Sequence, residues 1–167
     1  MSTEKDAVDR IVAQWARERP ELDSGPMAVI GRLHRLADLL EGELRTVFAS
    51  AGLGNGDFDV LASLRRAGAP YRLSPGDLSA STMVTSGAVT KRVDRLEQKG
   101  LVKRSVSAAD GRGREIELTP SGKKLTDAIV VDHWANEDRL LAALDATERD
   151  QLVGLLRKLL LSVEGPG

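Results

Sequence analysis

The stretch Leu73-Ser74-Pro75-Gly76-Asp77-Leu78-Ser79-Ala80-Ser81, followed after a short gap by Ser86-Gly87-Ala88-Val89-Thr90-Lys91-Arg92-Val93-Asp94-Arg95-Leu96-Glu97-Gln98-Lys99-Gly100, decides the fold. Ser74 has the side chain of a helix cap, and Pro75 suits a first helical position. A short helix over 73–81 is therefore predicted, then a turn from Thr82 to Ser86. A second helix follows from Ser86 to Lys99 and stops at Gly100. Two short helices joined by a tight turn make a helix-turn-helix, whose second helix enters the major groove of DNA. Leu101–Val106 then reads as a strand and Ile116–Thr119 as its partner. The polar, glycine-bearing tip between them, Ser107 to Arg114, completes a β-hairpin wing.

Helical geometry sorts the side chains of the second helix. Val89, Val93 and Leu96 fall within roughly 60° of one another and define a buried face. Lys91 and Arg95 project roughly 160° and 120° away from Val89, towards DNA. Gly87 allows close backbone approach, and Ser86 and Thr90 are lateral hydroxyl donors. Arg112 and Arg114 hold the wing against the duplex. Arg92 sits only about 60° from Val89, bordering the buried face, where it is poorly placed to read DNA and well placed to meet an anion inside the protein. A snorkelling arginine that covers apolar neighbours is the plainer alternative.

Outward from this core, apolar residues recur at helical spacing. Ala7, Val8, Ile11, Val12 and Trp15 mark a helix over 4–19, closed by Pro20. A long helix runs from Pro26 to about Ala51. Asn55 is the expected cap of a third helix through Arg66. Two helices close the chain, at about 119–144 and 146–163, the last with Leu152, Leu155, Leu156, Leu159 and Leu160 on one side. Apolar stripes from both chain ends exceed what a small winged lobe covers, so terminal helices of two subunits are expected to pack together. An intramolecular bundle is the alternative. The fold class is mainly α with a small β-hairpin wing, dimerising through N- and C-terminal helices. The expected organisation is 1–52 for dimerisation, 53–118 for the winged DNA-binding lobe and 119–167 for dimerisation again, in one continuous domain.

Composition narrows the function classes. Apolar residues make up 41% and charged residues 29% of 167, a soluble globular balance. Net charge is −1, yet Thr82–Arg114 carries +5 and the remainder −6. A basic segment on an acidic body is the footprint of local nucleic-acid contact, though a solvated charged face gives the same count. The chain has no cysteine and two histidines, His34 and His133, far apart in sequence, so no thiolate, disulfide or histidine-rich metal chemistry is expected. No phosphate loop, nucleophile elbow or paired-carboxylate pattern points to an enzyme, and no cofactor is expected. Absence of a membrane-length apolar run and of an N-terminal signal core predicts a cytoplasmic protein with no membrane partner.

The residues now carry a resemblance. Val84-Thr85-Ser86-Gly87-Ala88-Val89-Thr90, Leu96-Glu97-Gln98-Lys99-Gly100-Leu101-Val102-Lys103-Arg104, Asp110-Gly111-Arg112 and Leu118-Thr119-Pro120-Ser121-Gly122 together resemble the MarR family of transcription regulators. The resemblance implies a triangular homodimer that reads a palindromic site on double-stranded DNA. The urate-responsive branch of that family is more similar still. It has an extra N-terminal helix with a tryptophan, matched by Trp15. It also has an aspartate early in the third helix, matched by Asp59, and two arginines, matched by Arg92 and Arg104. The resemblance implies that these four bind the anionic effector urate and that binding releases a repressor. Each has a plainer role open to it: Trp15 as core filler, Asp59 beside a helix N-terminus, Arg104 bracing the wing through Asp110. Another small anionic or phenolic ligand, or ligand-independent DNA binding, are the alternative readings.

Overall fold

A computed structural model describes residues 4–82, 86–106 and 113–165, with backbone alone at 86–88 and 106. The order of elements is α1 (Ala7–Glu18), α2 (Gly25–Ser50), α3 (Asn55–Arg66), β1 (Arg72–Leu73), α4 (Pro75–Ser81), α5 (Ser86–Gln98), β2 (Val102–Val106), β3 (Arg114–Leu118), α6 (Pro120–Leu140) and α7 (Ala146–Glu164). The chain divides into two compact units, Met1–Thr46 and Val47–Gly167. Among the described residues no helix is long and apolar enough to cross a membrane.

In the first unit, α1 is fastened to α2 by its own cap. Asp6 accepts from the Asp9 N–H at 2.9 Å, and Asp9 accepts from the Asp6 N–H at 3.0 Å. Arg32 of α2 then donates to both acids, at 2.9 Å to Asp6 and 2.6 Å to Asp9. Val8 is buried, and a Cβ at Gly31 would stand 3.2 Å from its methyl group. The Arg32 hydrogen bond, followed by the Asp6 backbone N–H, lowers the pKa of Asp9. The clamp is therefore complete above the ordinary carboxylate range and is lost as pH falls through the lowered Asp9 value. Replacing Arg32 by alanine should speed amide exchange along α1 and leave the melting of the second unit unchanged. Exchange at the old rate would show that Val8 alone holds the helix.

The second unit is built on α3, whose Val60, Leu61 and Leu64 are fully buried. Buried with them are Leu78 of α4, Val89, Val93 and Leu96 of α5, and Val102, Ile116 and Leu118 of the sheet. Strand order is β1-β3-β2, all antiparallel, with Val102 opposite Leu118 and Val106 opposite Arg114. Residues 73–81 do not form one helix. Leu73 lies in β1 opposite Ile116, and the helix begins only at Pro75, behind the Ser74 cap. A two-residue strand carries no periodicity; the open edge of β3 recruits it.

The second unit runs across residue 118 without interruption. Thr119 caps α6, and the Leu101 carbonyl accepts the Thr119 N–H at 3.1 Å. Gly122 passes so close to that carbonyl that a Cβ would overlap its oxygen. The last helix, α7, has Asp145 and Glu148 as a reciprocal capping box and buries none of its residues. Ile129 and Thr126 of α6 are buried, whereas Val131 and Trp134 are 65% exposed.

Candidate nucleic-acid interface and effector residues

Burial on α5 follows the helical wheel. Val89, Val93 and Leu96 face the core, and Thr90 and Lys91 face solvent. Ser86 and Gly87 lie in the first turn of this helix. Arg114 is exposed at the start of β3, and Arg112 lies outside the described residues.

Arg95 is half-exposed, but its guanidinium is held from within. Its Nε donates to Asp57 Oδ1 at 3.1 Å and Oδ2 at 3.0 Å, and its Nη2 also donates to Oδ1. Asp57 is buried, and its Oδ2 also accepts the Gly54 N–H at 3.1 Å. The hydrogen bonds to Asp57, then its charge, raise the pKa of Arg95. The expected N-cap of α3 therefore moves by one residue. Gly54 is the cap, Asn55 is the first helical residue, and Asp57 reaches back from the first turn. The sequence reading gave Arg95 a direction and missed this partner. Its signal is an acid three residues past a glycine that precedes a helix, which marks a reciprocal cap and says nothing of a distant arginine.

Arg92 turns inward, to the same end of α3. Its guanidinium lies where a Cβ of Gly56 would be, so a side chain there would push the arginine aside. Its Nη1 is buried with no hydrogen-bond partner, and so is Asn55 Oδ1 beside it in sequence to Gly56. Arg104 takes a different course. It pairs with Asp94 and Glu97 of α5, and its N–H donates to Glu97 Oε1 at 3.0 Å. Hydrogen bonding to Asp94 is the first cause of its raised pKa. Arg104 thus braces β2 against α5. Asp110, the wing partner that the plainer reading gave Arg104, lies outside the described residues.

Asp59 is half-buried on α3, two residues beyond Asp57. Arg92 and Asp59 therefore belong to one helix end, whereas Arg104 is drawn to α5. Trp15 is in the first unit, half-exposed, where it lines a 270 Å³ hollow with Arg19, Leu22, Asp23, Ser24 and Met27.

A second hollow, of 380 Å³, lies between α3 and α6. Phe58, His133 and Trp134 supply aromatic walls and Arg65 and Arg66 cations. Phe58 stacks on Phe48 at 4.5 Å, and His133 tilts against both rings. Asp127 accepts from Lys123 at 2.7 Å and Arg65 at 2.6 Å, which lower its pKa in that order. His133 Nδ1 is buried without a hydrogen-bond partner. Sequence reasoning found no part of this hollow, because its residues have no motif and meet only when two helices pack. Among the described residues no cluster of His, Cys, Asp or Glu could hold a metal ion.

Comparison with known proteins gives this arrangement its setting. The MarR family model matches residues 51–113. The chain is 41% identical over 149 residues to the HTH-type transcriptional regulator PecS of Dickeya dadantii, covering 89% of this chain and 90% of PecS. Among solved structures, a MarR mutant from E. coli complexed with operator DNA superposes with a TM-score of 0.67 at 26% identity, covering 88% of this chain and 98% of that one. BpsR of Bordetella bronchiseptica, whose DNA binding is regulated by 6-hydroxynicotinic acid, gives a TM-score of 0.70 at 27% identity over 78% of this chain and 91% of its own. PecS is a transcriptional regulator, and BpsR and MarR bind DNA. With a winged helix-turn-helix on a helical body and a 41% identical relative along nearly its whole length, the chain belongs to the MarR family of DNA-binding transcription regulators.

Proposed function

We propose that this chain is a homodimeric repressor whose hold on a palindromic operator is released by urate. The observation that carries the reading is Arg92. It sits on the helix that enters DNA, yet its guanidinium is turned onto the N-terminal turn of α3 with a buried Nη1 that finds no partner among the described residues. A buried donor left without a partner is costly, more so when charged. An anion placed there gains Arg92 and the positive end of the α3 dipole together. Urate is a planar purine anion whose carbonyl oxygens suit a guanidinium fork. Asp59, on the same helix end, is the negative group such an anion displaces or repels. The resemblance adds Trp15 and Arg104 to the effector residues.

In the ligand-free dimer, Ser86, Gly87, Thr90, Lys91 and Arg95 meet the groove, and Arg112 and Arg114 the flanking backbone. Anion binding moves Arg92, and with it α5. It releases DNA only to the extent that the anion prefers the displaced pose. The dimer is supported by exposed apolar residues on α1, α2, α6 and α7, among them Ile11, Val29, Leu36, Val131, Leu155 and Leu161.

A gel shift on the gene's own upstream DNA, with and without urate, tests the reading. Arg92→Ala and Trp15→Phe should keep operator affinity and require about ten- to a hundredfold more urate for release, as loss of charge-assisted hydrogen bonds does. Release of both variants at the wild-type urate concentration would remove the urate site proposed here and leave DNA binding untouched. A second reading is favoured by the hollow between α3 and α6. Its aromatic walls and two arginines suit an aromatic acid, and 6-hydroxynicotinic acid regulates the structural neighbour BpsR. Release by that acid with none by urate would choose this second reading.

A further inference from the structure

A guanidinium has two hydrogen-bonding edges, one through Nε and Nη2 and one through the two Nη groups. In Arg95 the bonds to Asp57 run through Nε and Nη2, which is the first of these edges. The burial of the pair is lopsided. The Asp57 side chain is 3% exposed and that of Arg95 is 51% exposed. The carboxylate is thus inside the protein, while half of the arginine remains in solvent on the side of α5 that carries Lys91.

We propose that Asp57 is a positioning residue for operator specificity: it grips the inner edge of Arg95 and so aims the outer edge at a base pair. The proposal rests on the reading that the exposed face of α5 meets DNA. A free arginine on a helix surface must give up the freedom of a long side chain when it docks. Arg95 has given up much of that freedom before DNA arrives, which favours the bidentate geometry by which arginine reads guanine. Asp57 is itself fixed, because it also accepts the Gly54 N–H at the start of α3. Exchange of partners, with Arg95 leaving Asp57 for the DNA, is disfavoured. It would strand a buried carboxylate with one backbone N–H in place of a cation, and removing one member of a buried pair is strongly destabilising.

Two measurements on the full-length protein test this. In the first, operator and scrambled duplexes are titrated with wild type, Asp57→Asn, Arg95→Ala, the double variant and Lys91→Ala. Asparagine keeps an acceptor for the Gly54 N–H and loses the charge. The ratio of operator to scrambled affinity should fall about tenfold or more in Asp57→Asn. Arg95→Ala should fall as far, the double variant no further, and the salt slope of Asp57→Asn should stay that of wild type. A ratio that falls in Arg95→Ala and holds in Asp57→Asn overturns the proposal alone. A ratio that holds in Arg95→Ala and Lys91→Ala alike overturns the DNA-facing reading of α5 with it.

The second measurement needs no variant at position 57. The Arg95 Nε proton, identified by its loss in Arg95→Lys, should exchange slowly with solvent in the free protein. It should stay slow when operator saturates the dimer. Faster exchange on adding operator means that Arg95 leaves Asp57, and the proposal falls.

Discussion

Replacing Gly122 by alanine is expected to destabilise the second unit by about 3 kcal/mol or more, near the top of the range for overpacked sites. The reason is what the new methyl group meets. It would overlap the carbonyl oxygen of Leu101, and no rotamer change moves a backbone atom. That oxygen is fixed, because it accepts the Thr119 N–H at 3.1 Å and lies 3.2 Å from the Thr119 hydroxyl, whose one proton it shares with the Gly100 carbonyl. The same hydroxyl accepts the Gly122 N–H at 3.0 Å and donates to the Gly100 carbonyl at 2.7 Å. Relief therefore requires α6 to move away from the corner between α5 and β2, which breaks the cap as well. Single domains are stable by only about 5–15 kcal/mol, so the loss is a large part of the whole. In a thermal melt followed by circular dichroism it should lower the midpoint by about 10 °C. Gly76→Ala is the control. Its Cβ would lie 3.7 Å from Ser74 Oγ, an ordinary contact, and the midpoint should hold or rise slightly. Equal melting of the two variants would mean that α6 shifts freely at its first turn. Operator affinity should fall with stability in Gly122→Ala, because Leu101 follows Gly100, which ends α5 at φ 68°.

Much of this protein is legible from local sequence, and the limit is where contacts become distant. Ser74-Pro75 and Thr119-Pro120 are helix starts whose chemistry is complete within four residues, and both caps stand where the sequence puts them. The buried face of α5 follows from a 100° rotation per residue, so Val89, Val93 and Leu96 are found without any knowledge of what covers them. The wheel gives a direction and never a partner. Arg95 is correctly placed off the core, yet Asp57, which holds it, lies 38 residues away. Arg32 meets Asp9 across 23 residues, and Phe58, Asp127 and His133 share a hollow that exists only once α3 and α6 have packed. Arg92 falls between these cases. Its inward tilt is a property of the helix, and the space over Gly56 that its guanidinium fills is a property of the fold.

If the proposed dimer forms through α7, placing two charges on the apolar side of that helix should turn the dimer into a monomer. Leu155 and Leu159 are one helical turn apart, and no residue of α7 is buried within its own subunit. Removing these side chains costs an isolated subunit little by this measure. A second copy that covers them gains about 1.5–3 kcal/mol for each leucine fully buried, and four leucines meet in a twofold pair. Leu155→Glu with Leu159→Glu forfeits that gain and also leaves carboxylates to be desolvated. Self-association should weaken by about a thousandfold or more, which sedimentation at micromolar protein reads directly. The far-ultraviolet spectrum should keep its helical form, because the core around Leu61, Leu64 and Leu96 lies in other elements. Operator binding should fall by about a hundred- to ten-thousandfold, since two linked recognition helices become two separate ones. Binding to a single half-site should change little. If the double variant still sediments as a dimer, the stripe of α7 serves some other contact, and the exposed apolar residues of α1, α2 and α6 must supply the interface instead.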